Sequence, residues 1–197
     1  MSEEKSVPEE FASTFQTVDP YPYEETHDLR SGPELHDDLL PLLPLVGLWR
    51  GRGQGGYPDV EDFMYAQEIE FFHDGRPFLQ YRARSWLLDA EGKAVRPANK
   101  ETGFWRVSYG ENGNPEVEAM IAQPTGILEL FYGQAKGTTQ WEVATDAVVR
   151  SPHSKEVTAE KRLYGVVEGA LMYAVEMAAQ GHPLTPHLSA RLNRVGG

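Results

Sequence analysis

Short segments in which apolar and polar residues alternate constrain the fold of this chain more than any other feature. Residues 77–86 alternate with a period of two, which is the spacing of a half-buried β-strand. Comparable strand-like segments lie at 47–58, 68–71, 103–107, 117–122, 126–132, 140–149, 156–166 and 171–179. Turn sequences rich in Gly, Asp and Asn separate them, and no long helical period interrupts the series.

The spacing of these segments predicts an all-β fold. Strands that arrive about every 8–15 residues form an antiparallel meander, and roughly ten of them suffice to close an up-and-down β-barrel. A β-sandwich is the alternative architecture. Residues 33–45 (PELHDDLLPLLPL) predict a short helical segment, because leucines cluster there and prolines limit its length. In a barrel this segment would plug one end.

The charge of the chain is unevenly distributed. The 197 residues carry a formal net charge of −12, and eleven of the 30 acidic residues lie within residues 1–40 beside two basic ones. Residues 1–32 also contain Pro8, Pro20 and Pro22. Such a composition buries too little apolar surface to offset the entropy of ordering. We therefore expect an acidic, flexible N-terminal tail over residues 1–32 and a barrel domain over residues 33–197.

Composition excludes several classes of protein. The negative charge argues against partners such as nucleic acid or an anionic membrane surface, both of which attract basic patches. The absence of Cys excludes disulfides, thiol catalysis and iron–sulfur clusters. No apolar run is long enough for a transmembrane helix, and the acidic start MSEEKSVPEE is unlike a signal peptide. We expect a soluble, cytoplasmic protein.

Glycine recurs on alternate positions in the segment GLWRGRGQGGYP at 47–58. On a strand, Gly51, Gly53 and Gly55 share one face with Trp49, while arginines occupy the other face. Glycines in series on one face allow sharp coiling and the close approach of another group. The pattern favours a bent first strand, and it fails as a phosphate loop because no Lys-Ser/Thr pair follows.

The six histidines differ in their surroundings. His27, His36, His73 and His153 fall in the tail, a turn or a loop, where we expect them to be solvated. His182 and His187 follow the apolar segment 171–179, and a neutral imidazole is the commonest proximal ligand of haem. Without further information, either His182 or His187 could have a purely structural role. In a regular strand His187 would share a face with Ser189, so a bulge or a strand start would be needed to turn its imidazole inward.

The glycine-rich segment resembles the opening motif of the nitrobindin family, which are small haem-binding β-barrels similar in shape to fatty-acid-binding proteins. The resemblance continues in order through residues 63–71, 75–81, ETGFWR at 101–106, IAQPTG at 121–126 and PLTPHLSARL at 183–192. It covers about residues 38–195 and leaves only the tail outside.

The resemblance implies one haem b per chain, with His187 as the axial ligand of the iron and the catalytic residue. It also implies that the ferric haem binds nitric oxide and isomerises peroxynitrite to nitrate. The other pocket residues that it implies are Met177, Gln123, Asn99 and Leu188. Asn99 stands where some relatives carry His, which weakens distal polar assistance. We expect Glu68 and Glu101 on a strand face or at the rim, and hence a cavity without a strong general base.

Three alternatives remain open at this stage. The barrel could carry a fatty acid or another small apolar ligand, which needs no iron. It could be a non-catalytic haem sensor or carrier whose acidic tail recruits a partner. It could also be a member of the family that has lost haem. The expected partners are small molecules, and the sequence leaves a homodimer open.

Overall fold

The computed structural model describes residues 18–110 and 112–197, which form a closed β-barrel. Its ten strands are β1 (Gly47–Tyr57), β2 (Val60–Phe72), β3 (Leu79–Leu88), β4 (Ala94–Tyr109), β5 (Pro115–Gln123), β6 (Ile127–Ala135), β7 (Gln140–Arg150), β8 (Val157–Val167), β9 (Ala170–Ala179) and β10 (Thr185–Gly196). Each strand pairs antiparallel with its neighbours in sequence, and β1 pairs with β10 to close the ring. The predicted up-and-down barrel is confirmed, and the alternative of a sandwich is wrong.

Strand alternation sorts side chains between the interior and the solvent. In β6, Ile127, Glu129 and Phe131 are buried while Leu128, Leu130 and Tyr132 between them are exposed. In β1, Trp49 and the glycines face inward and Arg50 and Arg52 face solvent, as the sequence predicted. The period of two therefore decides which side chains meet inside the barrel.

A 3₁₀ helix over Asp37–Leu45 plugs one end of the barrel, which confirms the predicted short helical segment. Leu39, Leu42 and Leu45 are fully buried on its inner side. The indole nitrogen of Trp49 donates to the Leu45 carbonyl at 2.8 Å, and that of Trp141 donates to the Pro41 carbonyl at 2.9 Å. Buried leucines, one buried hydrogen bond and one partly buried hydrogen bond thus hold the plug against the strands.

The N-terminal segment contacts the plugged end. Thr26 and His73 exchange two backbone hydrogen bonds of 2.8 and 2.9 Å, and His27 Nδ1 lies 2.9 Å from the Glu70 carboxylate. Part of the predicted tail, residues 1–17, lies outside the described residues. Within the described part of the chain, no helix has the length and apolar character needed to cross a membrane.

The seam between β1 and β10 depends on glycine. A methyl group on Gly51 would collide with the backbone of Arg191 and Leu192, and one on Gly53 would collide with Ser189 and the ring of Tyr65. At these positions β1 and β10 therefore lie closer together than any residue with a Cβ atom would permit. The close approach that the glycine pattern predicted is confirmed.

We predict that Gly51→Ala lowers the free energy of unfolding by about 1–3 kcal/mol, because the added methyl group meets backbone that closes the barrel. The matched control is Gly165→Ala in β8, where the nearest atoms would lie 3.9 Å from the new methyl group. Urea unfolding followed by tryptophan fluorescence measures both variants. Equal stabilities of the two would contradict the proposed steric constraint at the seam.

Candidate functional site

A cavity of about 760 Å³ occupies the half of the barrel opposite the plug. Its apolar wall includes Phe63, Leu87, Ile127, Val157, Val175, Met177 and Leu188. Its polar lining includes Gln67, Asn99, Glu101, Gln123, Glu160, Arg162 and four tyrosines at 65, 81, 164 and 173. One side of the cavity therefore suits an apolar body, while the other offers buried hydrogen-bonding groups.

The five residues that the resemblance implied all line this one cavity: Asn99, Gln123, Met177, His187 and Leu188. They come from β4, β5, β9 and β10 and are separated by up to 89 positions in the chain. The barrel thus brings together the complete set of residues that the sequence had singled out.

A β-bulge sets the direction of the His187 side chain. The pairing of β10 with β9 shifts register between Pro186 and Leu188, so His187 has no partner in that ladder. His187 and Leu188, although adjacent, both line the cavity. The bulge that the sequence analysis required is present, and β10 begins before it, at Thr185.

The hydrogen bond of His187 fixes its tautomer. His187 Nδ1 lies 2.9 Å from the carbonyl oxygen of Gly56, which has no proton to donate. Nδ1 therefore carries the proton, and the neutral ring keeps the lone pair on Nε2 for a ligand bond. Burial lowers the pKa of His187 and outweighs the opposing effect of the Gly56 hydrogen bond, which keeps the imidazole neutral near pH 7.

Tyr57 stabilises the mouth of the cavity beside His187. Its hydroxyl donates to the Met177 carbonyl at 3.0 Å and accepts from the Ala179 amide at 2.9 Å. Its ring packs edge to face against His187, with ring centres 5.5 Å apart. The end of β9 and His187 are thereby anchored to the same side chain of β1.

Two other histidines lie elsewhere. His182, the competitor of His187, is half-buried, and its Nε2 lies 2.7 Å from Asp59 outside the cavity lining. His73, expected to be solvated in a turn, is instead fully buried, and among the described residues neither ring nitrogen has a hydrogen-bond partner. That expectation was wrong because the backbone of Thr26 pairs with His73 and lies against it.

The polar part of the cavity is built around Arg162. Its guanidinium makes two hydrogen bonds to the Glu101 carboxylate, at 2.9 and 3.0 Å, and another to Glu160. Glu129 lies 3.7 Å from it. Three buried carboxylates thus share this one guanidinium, and full ionisation of all three would leave a net negative charge in the interior.

The three carboxyl groups respond differently to this arrangement. Burial raises the pKa of Glu101, but its paired contacts with Arg162 prevail and leave that pKa below the ordinary value. Burial raises the pKa of Glu160 to about 7, with Glu129 and Glu101 adding repulsion against the attraction of Arg162. Burial also raises the pKa of Glu129. Glu101 is therefore the counter-ion of Arg162, while burial favours the neutral form of Glu160 and Glu129 relative to an exposed carboxyl group.

Amide side chains link this cluster to the cavity wall. Asn99 Nδ2 donates to Gln123 Oε1 at 3.3 Å, and Gln123 Nε2 donates to Glu129 Oε2 at 3.0 Å. Glu129 Oε1 is buried, and within the described part of the chain it has no hydrogen-bond partner. The predicted pocket residues Asn99 and Gln123 therefore act as a pair that ends on a buried carboxyl group.

Sequence analysis missed this cluster and placed Glu101 incorrectly. Glu101 lies in the interior rather than at the rim, and the expectation of a cavity without a strong acid–base group was wrong, because Glu160 lines it. Glu68 does lie on the outer strand face, between Arg50 and Arg84. The available signal was the alternation Glu160, Arg162, Tyr164, which places two charged residues on the inward face of β8.

We predict that Arg162→Met lowers the free energy of unfolding by about 3–5 kcal/mol at about pH 8, because three buried carboxylates lose their cation. Without Arg162 their pKa values rise, so the loss grows as pH increases above the ordinary glutamate pKa of about 4.3. The control is Arg106→Met, whose exposed pair with Glu118 is worth less than about 1 kcal/mol. Chemical unfolding at about pH 8 and at a pH close to that glutamate pKa of about 4.3 measures the difference between the two variants. A loss independent of pH would contradict this explanation.

Comparison with known proteins places this site in a family. Residues 38–194 match the model of the THAP4-like, heme-binding beta-barrel domain. The chain is 64% identical over 181 residues to the peroxynitrite isomerase of Salinispora arenicola, covering 91% of this chain and 92% of that protein. It is 46% identical over 175 residues to the ferric nitrobindin-like protein of Saccharopolyspora erythraea, covering 88% and 81%.

A solved structure is similar as well. The crystal structure of Rv2717c from M. tuberculosis aligns with a TM-score of 0.73 at 37% sequence identity, covering 82% of this chain and 99% of that one. The region matched by the family model contains β1 to β9, β10 as far as Arg194, and His187. The chain therefore belongs to the family of THAP4-like, heme-binding beta-barrel domains.

Proposed function

We propose that the chain binds one haem b in the barrel cavity through His187 Nε2 and that the ferric form converts peroxynitrite to nitrate. The observation that carries the proposal is the geometry of His187. Its neutral imidazole donates a hydrogen bond from Nδ1 to the Gly56 carbonyl, and the side chain lines the cavity with Nε2 left for a ligand. Relatives named peroxynitrite isomerase, at up to 64% identity, support the reaction.

The residues around the cavity fit such a group. A porphyrin brings four nitrogen ligands of its own, so one imidazole is enough to complete the attachment of the iron. Met177, Leu188 and the neighbouring aliphatic side chains offer the apolar surface that the macrocycle needs. Lys155 and Arg96 at the exposed edge of the cavity offer positive charge for its carboxylates.

The protein's part in the reaction is binding, orientation and exclusion of water. Bound ferric haem supplies a Lewis acid for the oxygen of peroxynitrite. His187 would hold the group, and its hydrogen bond to the Gly56 carbonyl restricts rotation of the imidazole ring. The buried walls limit escape of reactive fragments, and Asn99 and Gln123 present amide dipoles to the cavity.

The finer parts of the proposal concern ligands and assembly. We propose that the same site binds nitric oxide at ferric iron and that residues 33–197 form the haem-binding unit, with residues 1–32 taking no part in the site. A cytoplasmic location belongs to the same proposal. A homodimer is supported by an outer apolar row in which Phe104 lies beside Met120 and Met120 beside Leu130.

One observation weighs against the fatty-acid carrier. A carboxylate ligand in the interior would need a cation, yet the Arg162 guanidinium is already bonded to Glu101 and Glu160. A further carboxylate there would compete with Glu101 and Glu160 for the one guanidinium, in a space where burial already opposes the ionisation of Glu160 and Glu129. The haem site therefore accounts better for the lining than a carrier does.

We predict that His187→Ala loses tight hemin binding, with an affinity at least about 100-fold lower and no Soret band of the wild-type position, because the axial bond is gone. The matched control is His182→Ala, which removes a neighbouring imidazole outside the cavity and should bind hemin as the wild type does. Hemin titration followed by absorbance measures both. An unchanged spectrum in His187→Ala would show that the ligand assignment is wrong.

We predict that the hemin-loaded wild-type protein accelerates the decay of peroxynitrite and increases the share that becomes nitrate. His187→Ala mixed with the same amount of hemin should give the rate of free hemin, because the group is no longer held in the cavity. Stopped-flow absorbance gives the rate, and ion chromatography gives the nitrate yield. Decay at the rate of free hemin in the wild type would leave a haem carrier or sensor as the better function.

A further inference from the structure

The interior charge cluster holds a group that the proposed function does not use. Glu160 is 5% exposed and lines the same cavity as His187. Its Oε1 accepts from Arg162 Nε, and its backbone amide donates to Thr145 Oγ1. In the described part of the chain the contacts of the carboxyl group with Arg162 are made by Oε1, which leaves Oε2 without a hydrogen-bond partner in a side chain that lines the cavity.

Burial, together with the two neighbouring carboxyl groups, favours the neutral form of Glu160 against the attraction of Arg162. The charged groups that face it from the packed strands are Arg162 on its own strand, Glu101 on β4 and Glu129 on β6; the nearby phenol is Tyr164. Glu101 takes two hydrogen bonds from Arg162 and so satisfies most of that positive charge. Burial opposes the ionisation of both Glu160 and Glu129, and repulsion between the carboxylates offsets part of the attraction that Arg162 still exerts on them.

We propose that Glu160 selects ligands of the cavity by charge: in its protonated form it donates a hydrogen bond to an anion, and in its ionised form it repels one. The inference deepens the proposed function and rests on it, because peroxynitrite is an anion. It makes Glu160 a specificity-determining residue rather than a ligand of the cofactor. Its carboxyl pKa of about 7 places the change in the physiological range.

The direction of the effect follows from the charge. Below about pH 7 the carboxyl is neutral and the cavity accepts an anion; above it a carboxylate faces the ligand. The affinity of the hemin-loaded protein for azide, an anionic iron ligand, is expected to fall about tenfold between about pH 6 and about pH 8. Imidazole binds as an uncharged molecule, so its affinity is not expected to fall over the same pH range.

The test uses isosteric variants of the full chain. Glu160→Gln keeps the size of the side chain and a hydrogen-bond donor but removes the group that changes charge. The affinity of this variant for azide should therefore no longer fall tenfold between about pH 6 and about pH 8. Glu129→Gln removes a buried carboxyl that is absent from the cavity lining, so the fall should remain with a lower midpoint. Glu118→Gln, on the outer face, should match the wild type. Carboxyl ¹³C NMR of the haem-free chain follows the protonation of Glu160 directly.

Each outcome decides the proposal. A carboxyl that titrates near pH 7 together with an azide profile flattened only in Glu160→Gln supports it. A carboxylate ionised throughout, or equal azide profiles in Glu160→Gln and wild type, overturns it. If the chain takes up no hemin, the proposed haem site fails. Anilinonaphthalene sulfonate and its uncharged parent N-phenyl-1-naphthylamine then replace azide and imidazole as cavity probes of the haem-free chain, with the same expected contrast.

Discussion

The contact between the first and last strands is the constraint on which the rest of the structure depends. A meander of ten strands encloses a cavity only if β1 and β10 meet, and Gly51, Gly53 and Gly55 allow this approach. At the end of the same seam Gly56 leaves the regular ladder of β1, and His187 leaves that of β10. The hydrogen bond between them therefore joins barrel closure to the orientation of the His187 ring.

The two ends of the barrel have different functions. At the plugged end, leucines of the 3₁₀ helix and the indoles of Trp49 and Trp141 complete a dry core. At the opposite end the strands leave a cavity, and its mouth is held by the hydroxyl of Tyr57. Stability concentrated at one end allows the other to keep open space and buried charge, both of which cost folding free energy.

The interior charge cluster shows why a haem pocket in this barrel is not simply apolar. Arg162 forms a doubly hydrogen-bonded ion pair with Glu101. The carboxyl groups of Glu160 and Glu129 lie next to this pair and experience the charges of both partners. Buried ion pairs are weak sources of stability compared with apolar packing. The arrangement is better explained by what it offers a ligand, which is a titratable hydrogen-bonding surface beside the cavity.

The sequence by itself determined the strand order, the glycine face of β1 and the plug, and the motif around His187 marked that residue as the candidate ligand, which stays a prediction. These features depend on residues close together in the chain, where periodicity and motif are visible. The tertiary structure alone decided which inward residues meet. Arg162 and Glu101 are 61 positions apart, and His73 is buried by its pairing with Thr26. The bulge at His187 likewise depends on the register with β9. Burial and pKa depend on neighbours across the barrel, and those neighbours are defined only when the ring of strands has closed.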